Sequence, residues 1–185
     1  MAYDFAALEK SLREKFGDAV LDWTNFRDQP CVHLKRDKLR DVMKFLKTDA
    51  STSFDIFTDV TALDLLKLPP DMEKPYHAED RFAMVYHISR LEPNSLESTI
   101  LRVKTYIPEE PPICDTVCDF WFGANWGERE VYDMFGIKFR GHPDLKRILC
   151  PDNLQGHALR KDYPLKGRGE RDNFPKYTDI PEYSS

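Results

Sequence analysis

The chain has 185 residues and a mass of 21.7 kDa, which suits one domain with a trailing extension. Hydrophobic residues make up 41% and charged residues 32%, enough apolar material for a core, and this excludes wholesale disorder. A net charge of -5 and a pI near 5.6 argue against a general nucleic-acid binder, and the longest apolar run, 82–86, is far short of the roughly 20 residues of a membrane helix.

In chain order, Leu8, Leu12 and Phe16 recur at helical spacing and predict an amphipathic helix over 6–16, stopped by Gly17. Two short strands are expected at 20–23 and 31–34, around a polar turn containing Pro30. Asp37 suits the N-cap of a second helix whose apolar stripe is Leu39, Val42, Met43 and Leu46. Residues 54–62 alternate and are rich in β-branched and aromatic side chains, which predicts a strand. A loop with Pro69, Pro70 and Pro75 follows. The clearest strands are 82–91 and 98–107, an antiparallel hairpin turning at Pro93-Asn94-Ser95. Over 116–135 apolar residues again fall at helical spacing, though Gly123 and Gly127 allow two shorter pieces.

Beyond this point the texture changes. Seven of the eight glycines lie at or after position 123, and no apolar period survives past Leu149. Residues 136–171 hold nine Lys/Arg against four acids, a surplus of +5 in a chain of net -5. A polar, proline-marked tail cannot stabilise itself by burial and must lie on something. The fold class expected is therefore α+β: helices on a mainly antiparallel sheet over 1–149, then an extended basic arm, 150–185.

Candidate chemistry is sparse. Cys31, Cys114, Cys118 and Cys150 show no C-x2-C spacing, and no histidine is near Cys114 or Cys118 in sequence, so they read as free thiols without a metal or cluster. Cys114 and Cys118, four apart, would share a face if helical. Glu128 and Glu130 would point about 200° apart on a helix and make a poor acid–base pair, whereas Arg129 and Asp133 are spaced for an intrahelical ion pair. His142 and His157 sit beside glycine, but no nucleophile stands in an elbow motif, and no P-loop or dinucleotide fingerprint appears. The patch Arg160-Lys161-Asp162-Tyr163-Pro164 reads either as a solvated loop or as a docking surface; the surplus positive charge favours docking.

The run Asn125-Trp126-Gly127-Glu128-Arg129-Glu130-Val131-Tyr132-Asp133-Met134-Phe135-Gly136-Ile137 resembles the signature of the 30-kilodalton (C-type) subunit family of respiratory complex I. The likeness continues through Gly141-His142-Pro143-Asp144-Leu145, Arg147-Ile148-Leu149 and Leu159-Arg160-Lys161-Asp162-Tyr163-Pro164-Leu165, and Asp59-Val60-Thr61-Ala62 fits as well. Ala158 stands where the family commonly has proline, and no quinone-site subunit follows Tyr183, so the likeness is to the stand-alone form.

The resemblance implies a scaffold in the peripheral arm of a proton-pumping NADH:quinone oxidoreductase, beside the D, B and I subunits, with FMN, iron–sulfur clusters and quinone held by partners and none by this chain. It implies that Glu128, Arg129, Glu130, Asp133, His142, Arg147, Arg160, Lys161, Asp162, Tyr163 and Pro164 form signature and interface rather than a catalytic centre. Attachment would be to the cytoplasmic side of the membrane through the complex alone; the N-terminus, with its early acid, does not read as a secretory signal. The same scaffold in a related membrane-bound hydrogenase, or in a dehydrogenase using another donor, is the alternative. A hydrolase using Glu130 and His142, and a nucleic-acid binder using the basic arm, are the competing classes.

Overall fold

The computed structural model describes residues 3–66, 68, 79–92 and 98–168. Helix α1 (Phe5–Phe16) opens where the Asp4 carboxylate accepts the Ala7 N–H at 3.0 Å, and it closes at Gly17, whose φ of +53° few other residues adopt. Strands β1 (Val20–Phe26) and β2 (Gln29–Leu34) then form an antiparallel hairpin. Its turn is not at Pro30, which lies inside β2 opposite Asn25, but at Arg27 and Asp28, both with positive φ. A two-residue turn of that hand matches the twist of its strands.

Helix α2 (Leu39–Thr48) buries the predicted stripe, but Asp37 does not cap it. A single 3-10 turn, Arg36–Lys38, leads into the helix and Asp37 lies within that turn.

The five-stranded sheet runs β1-β2-β5-β4-β3, with β3 (Ile56–Asp64), β4 (Asp80–Leu91) and β5 (Ser98–Pro108). Only β2–β5 is parallel, so the sheet is mainly antiparallel and the α+β expectation holds. The β4–β5 hairpin spans the predicted strands; its turn residues Pro93, Asn94 and Ser95, like Pro69, Pro70 and Pro75, lie outside the described residues.

One face of this sheet carries the core. Val60, Ala62, Phe82, Met84, Tyr86, Leu101, Val103 and Val32 alternate onto it and meet Leu8, Leu12, Val42, Met43 and Leu46 from the helices. Ala83, Val85 and Tyr106 point to the opposite face and belong to no part of that core.

Helix α3 (Ala124–Phe135) begins eight residues later than its apolar spacing predicts. Residues 118–120 and 122–123 form turns, and the Val117 N–H that precedes them donates to the Glu128 carboxylate at 2.8 Å. Cys114 lies in the short strand β6 (Ile113–Asp115), which pairs in parallel with β7 (Lys138–Arg140), so Cys114 and Cys118 share no helix face. Gly127 lets α3 approach β3: a Cβ there would meet Val60 Cγ1 at 2.5 Å.

Candidate functional site

The signature segment centres on α3, and its charged groups divide between the two ends of the helix. At the N-terminal end Glu128 is fully buried. Its oxygens accept the Thr116 hydroxyl at 2.5 Å, the Val117 N–H at 2.8 Å and the Cys118 thiol at 3.3 Å. Burial dominates and raises its pKa to about 7 despite these donors. Burial likewise pushes the Cys114 and Cys118 thiols up to about 12, far from the thiolate a nucleophile needs.

The fold brings His142, distant in sequence, beside this cluster, so that Cys118, Glu128 and His142 each place a donor atom within 4.8 Å of the others. No spacing in the chain points to that histidine. The donors are nevertheless engaged. The His142 Nε2–H donates to Asn125 O at 3.2 Å and Nδ1 accepts the Asp144 N–H at 3.1 Å. A metal would have to break this set of hydrogen bonds, and the residues are a poor fit for one.

At the other end, Asp133 does not pair with Arg129. Its Oδ2 accepts three successive backbone N–H groups, from Ile148 (3.0 Å), Leu149 (2.8 Å) and Cys150 (2.9 Å), and its Oδ1 accepts Arg147 Nη1 at 3.1 Å. Burial opposes ionisation, but these donors outweigh it and hold the carboxyl below its ordinary range. Arg129 turns instead to Lys146 O at 3.2 Å and lies over the Trp126 ring, 4.9 Å from its centre.

The last four carbonyls of a helix have no partner within it. In α3 the Tyr132 carbonyl takes the Gly136 N–H, Asp133 takes His157 Nδ1–H, Met134 takes the Leu159 N–H, and Phe135 takes Arg160 Nε–H at 2.6 Å. Residues 157–160, within the segment expected as an extended arm lying on a partner, therefore cap the domain's own helix. Gly136, at φ +76°, makes this possible, because a Cβ there would stand 2.4 Å from His157 Nε2.

The next residues continue onto the same domain. The Lys161 N–H donates to Asp64 Oδ2 at 2.8 Å, and Asp162 accepts Arg81 Nη2 at 2.6 Å. Buried Arg81 also binds Asp64 through two nitrogens and Glu109 through the third. Sequence reasoning missed Asp64, Arg81 and Glu109. One signal existed: Asp64 continues the inward parity of Val60 and Ala62, so a charge was due at a buried position.

Of the other signature residues, Tyr163 carries Arg168 over its ring at 5.4 Å, Pro164 O accepts the Gly167 N–H, and Glu130 is exposed and joins none of these clusters. Trp126 is 63% exposed, and Phe122, just before α3, is 86% exposed.

The domain's buried carboxylates Asp64, Glu128 and Asp133 each hold backbone N–H groups, and two exposed aromatics stand near them, Trp126 on α3 and Phe122 just before it. Residues 32–169 match the family described as respiratory-chain NADH dehydrogenase, 30 Kd subunit. The C subunit of the NADH-quinone oxidoreductase of Geobacter metallireducens is 45% identical, covering 85% of this chain and 88% of that one. The protein of that name from Thermus thermophilus is 43% identical, over 72% of this chain and 61% of its own length.

Among solved structures, the trypsin-resistant fragment (1-134) of Nqo5 superposes with a TM-score of 0.61 at 35% identity, over 75% of this chain and 98% of that one. A chain of an archaeal membrane-bound sulfane sulfur reductase shares the fold, with a TM-score of 0.67 at 22% identity over 97% of this chain and 98% of that one. This chain belongs to the 30-kilodalton subunit family of respiratory NADH dehydrogenases.

Proposed function

We propose that the chain is a non-catalytic scaffold subunit of the peripheral arm of a proton-pumping NADH:quinone oxidoreductase. In this reading it supports the quinone-site D subunit and the cluster-bearing B and I subunits while electrons pass from NADH to quinone. FMN, clusters and quinone are held by those and other partners. The chain attaches at the cytoplasmic side of the membrane only through the complex, and no helix of the described residues is long and apolar enough to cross a membrane.

The observation that carries the reading is the pair Phe122 and Trp126. Two large aromatics stand exposed at the start of α3, Trp126 in its first turn and Phe122 just before it, within or beside the segment that resembles the family signature. Such groups, with Arg129 stacked on one of them, have the composition of an interface hot spot. The carboxylates that a hydrolase would need support it poorly: Glu128 is sealed from solvent, and Glu130 has no histidine partner.

The test is purification of the tagged chain from its own membranes in mild detergent, with partner masses and NADH–quinone activity read together. Co-elution with flavin and iron–sulfur subunits and that activity is expected. Co-elution with a hydrogenase or another dehydrogenase would keep the scaffold and change the machine, and a chain recovered alone would refute it.

A further inference from the structure

The three α-helices of the described residues lie on one face of the sheet, and the other face holds a groove of about 570 Å³. It is lined from β1 (Asp22), β2 (His33), β5 (Lys104), β4 (Ala83) and β3 (Leu63), and it ends against the returning segment at Leu159 and Lys161. At the usual spacing of strands, crossing all five takes roughly 19 Å, the length of about six extended residues. Small ligands sit in more enclosed sites, so the shape suits a stretch of chain.

The lining is apolar at one end. Leu63, Leu65, Leu68 and Leu159 form it, with Leu63 about half exposed. Of the two cations that line the groove, Lys161 stands at this end beside Asp64 and Lys104 stands on the central strand β5 beside His33, and neither ammonium has a hydrogen bond or ion pair among the described residues. The acids nearby are already occupied. Asp64 is bound by Arg81, and Asp22 Oδ1 accepts the Trp23 N–H at 2.8 Å. His33 contributes no charge at neutral pH, since burial first and Lys104 second lower its pKa to about 4.

From this arrangement we infer that the groove is a docking site for an extended segment of a partner subunit, carrying an acidic side chain between apolar ones. The carboxylate would sit between Lys104 and Lys161, and its apolar neighbours would cover Leu63 and Leu159. The inference rests on the proposed function, because it requires the chain to be built into an assembly.

The experiment uses the complex as purified from membranes. Carbodiimide coupling joins an ammonium to a carboxylate only at contact distance, and mass spectrometry then identifies the joined peptides. Lys104 or Lys161 is expected to couple to Asp or Glu of another subunit, within a sequence rich in apolar residues. Acetylation with a soluble amine reagent should spare both lysines in the complex and modify both once it is dissociated, while the exposed Lys138 reacts in each state.

Charge reversal, K104E with K161E, should weaken co-purification about tenfold. Coupling only to residues 169–185 of this chain or to a second copy would overturn the inference. An intact complex in which both lysines are acetylated as fast as in the isolated chain would overturn it while leaving the proposed function standing. Recovery of no complex would overturn both.

Discussion

The two ends of α3 each bury a carboxylate, and their surroundings drive them in opposite directions. Glu128 and Asp133 are five residues apart and equally hidden from solvent. Asp133 meets three backbone N–H groups and an arginine; Glu128 meets one backbone N–H, a hydroxyl and a thiol. The first carboxyl is held below its ordinary pKa and the second rises to about 7. Burial alone therefore does not decide ionisation; the number of full N–H donors and a cation do. The C-terminal end of α3 uses its charge to hold a returning chain, and the N-terminal end shapes a turn with a group that is neutral at mildly acid pH.

Removing the charge at the C-terminal end should have the largest effect. Asp133→Asn leaves Arg147 facing a neutral amide and denies one of the backbone N–H groups its acceptor, and the loss should be about 3–5 kcal/mol in urea unfolding. Amide exchange should quicken first at 148–150 and at Leu159, whose N–H groups depend on this corner. An unchanged midpoint would show that the carboxylate does not organise the return.

The two carboxyls also predict opposite pH slopes. Glu128 has a folded pKa of about 7 against an ordinary 4.5, so the folded state holds the extra proton between those values. Stability is full below the lower value and falls as pH rises toward the higher one, by about 3 kcal/mol in all. Glu128→Gln should flatten that slope. Asp133 works the other way: its contribution is present above its ordinary 3.8 and is lost as pH falls below it, so Asp133→Asn should remove part of the acid limb. Thermal melts of both variants across this range would separate the two ends, and matching profiles would mean that the two carboxyls titrate alike.

Next in size is Gly136→Ala. The left-handed φ alone costs about 1–2 kcal/mol, and His157 and Arg160 must move away from the new methyl. The effect should fall on the returning segment, so that the melt of α3 and the exposure of 157–162 to protease change together. Arg160, which the sequence offered as part of a docking patch, belongs to this same cap.

That difference marks how far the sequence was legible. Helix α1, the stripe of α2 and the three long strands announce themselves because each buries one face, and burial leaves a period. Strands β6 and β7 are three residues each, too short to show one. The corner at Asp133 and the network around Arg81 are built from single polar residues 14 to 97 positions apart, and no local pattern records such partners. Segment 125–165 was recognisable by resemblance as a block, but not as a loop that returns to cap its own helix. Polar residues without a period read as an intrahelical ion pair, Arg129 with Asp133, or as a docking patch, 160–164, when several of them are acceptors and donors for backbone.

The smallest effect on the fold should come from Trp126→Ala, and it carries the most weight for function. Trp126 is exposed and contributes to the domain chiefly through Arg129, an interaction of about 0.5–1 kcal/mol at such sites. The melting curve of the isolated domain should therefore barely shift, and Phe122→Ala should shift it less still. If these rings cover a partner, the same substitutions should cost association about 2 kcal/mol or more, read as loss of co-purified subunits at matched expression. Asp133→Asn would lower that yield too, but only in step with its loss of folded domain. A variant that keeps its fold and loses its partners separates the surface of α3 from its buried ends, and Trp126 is the position where that separation should be widest.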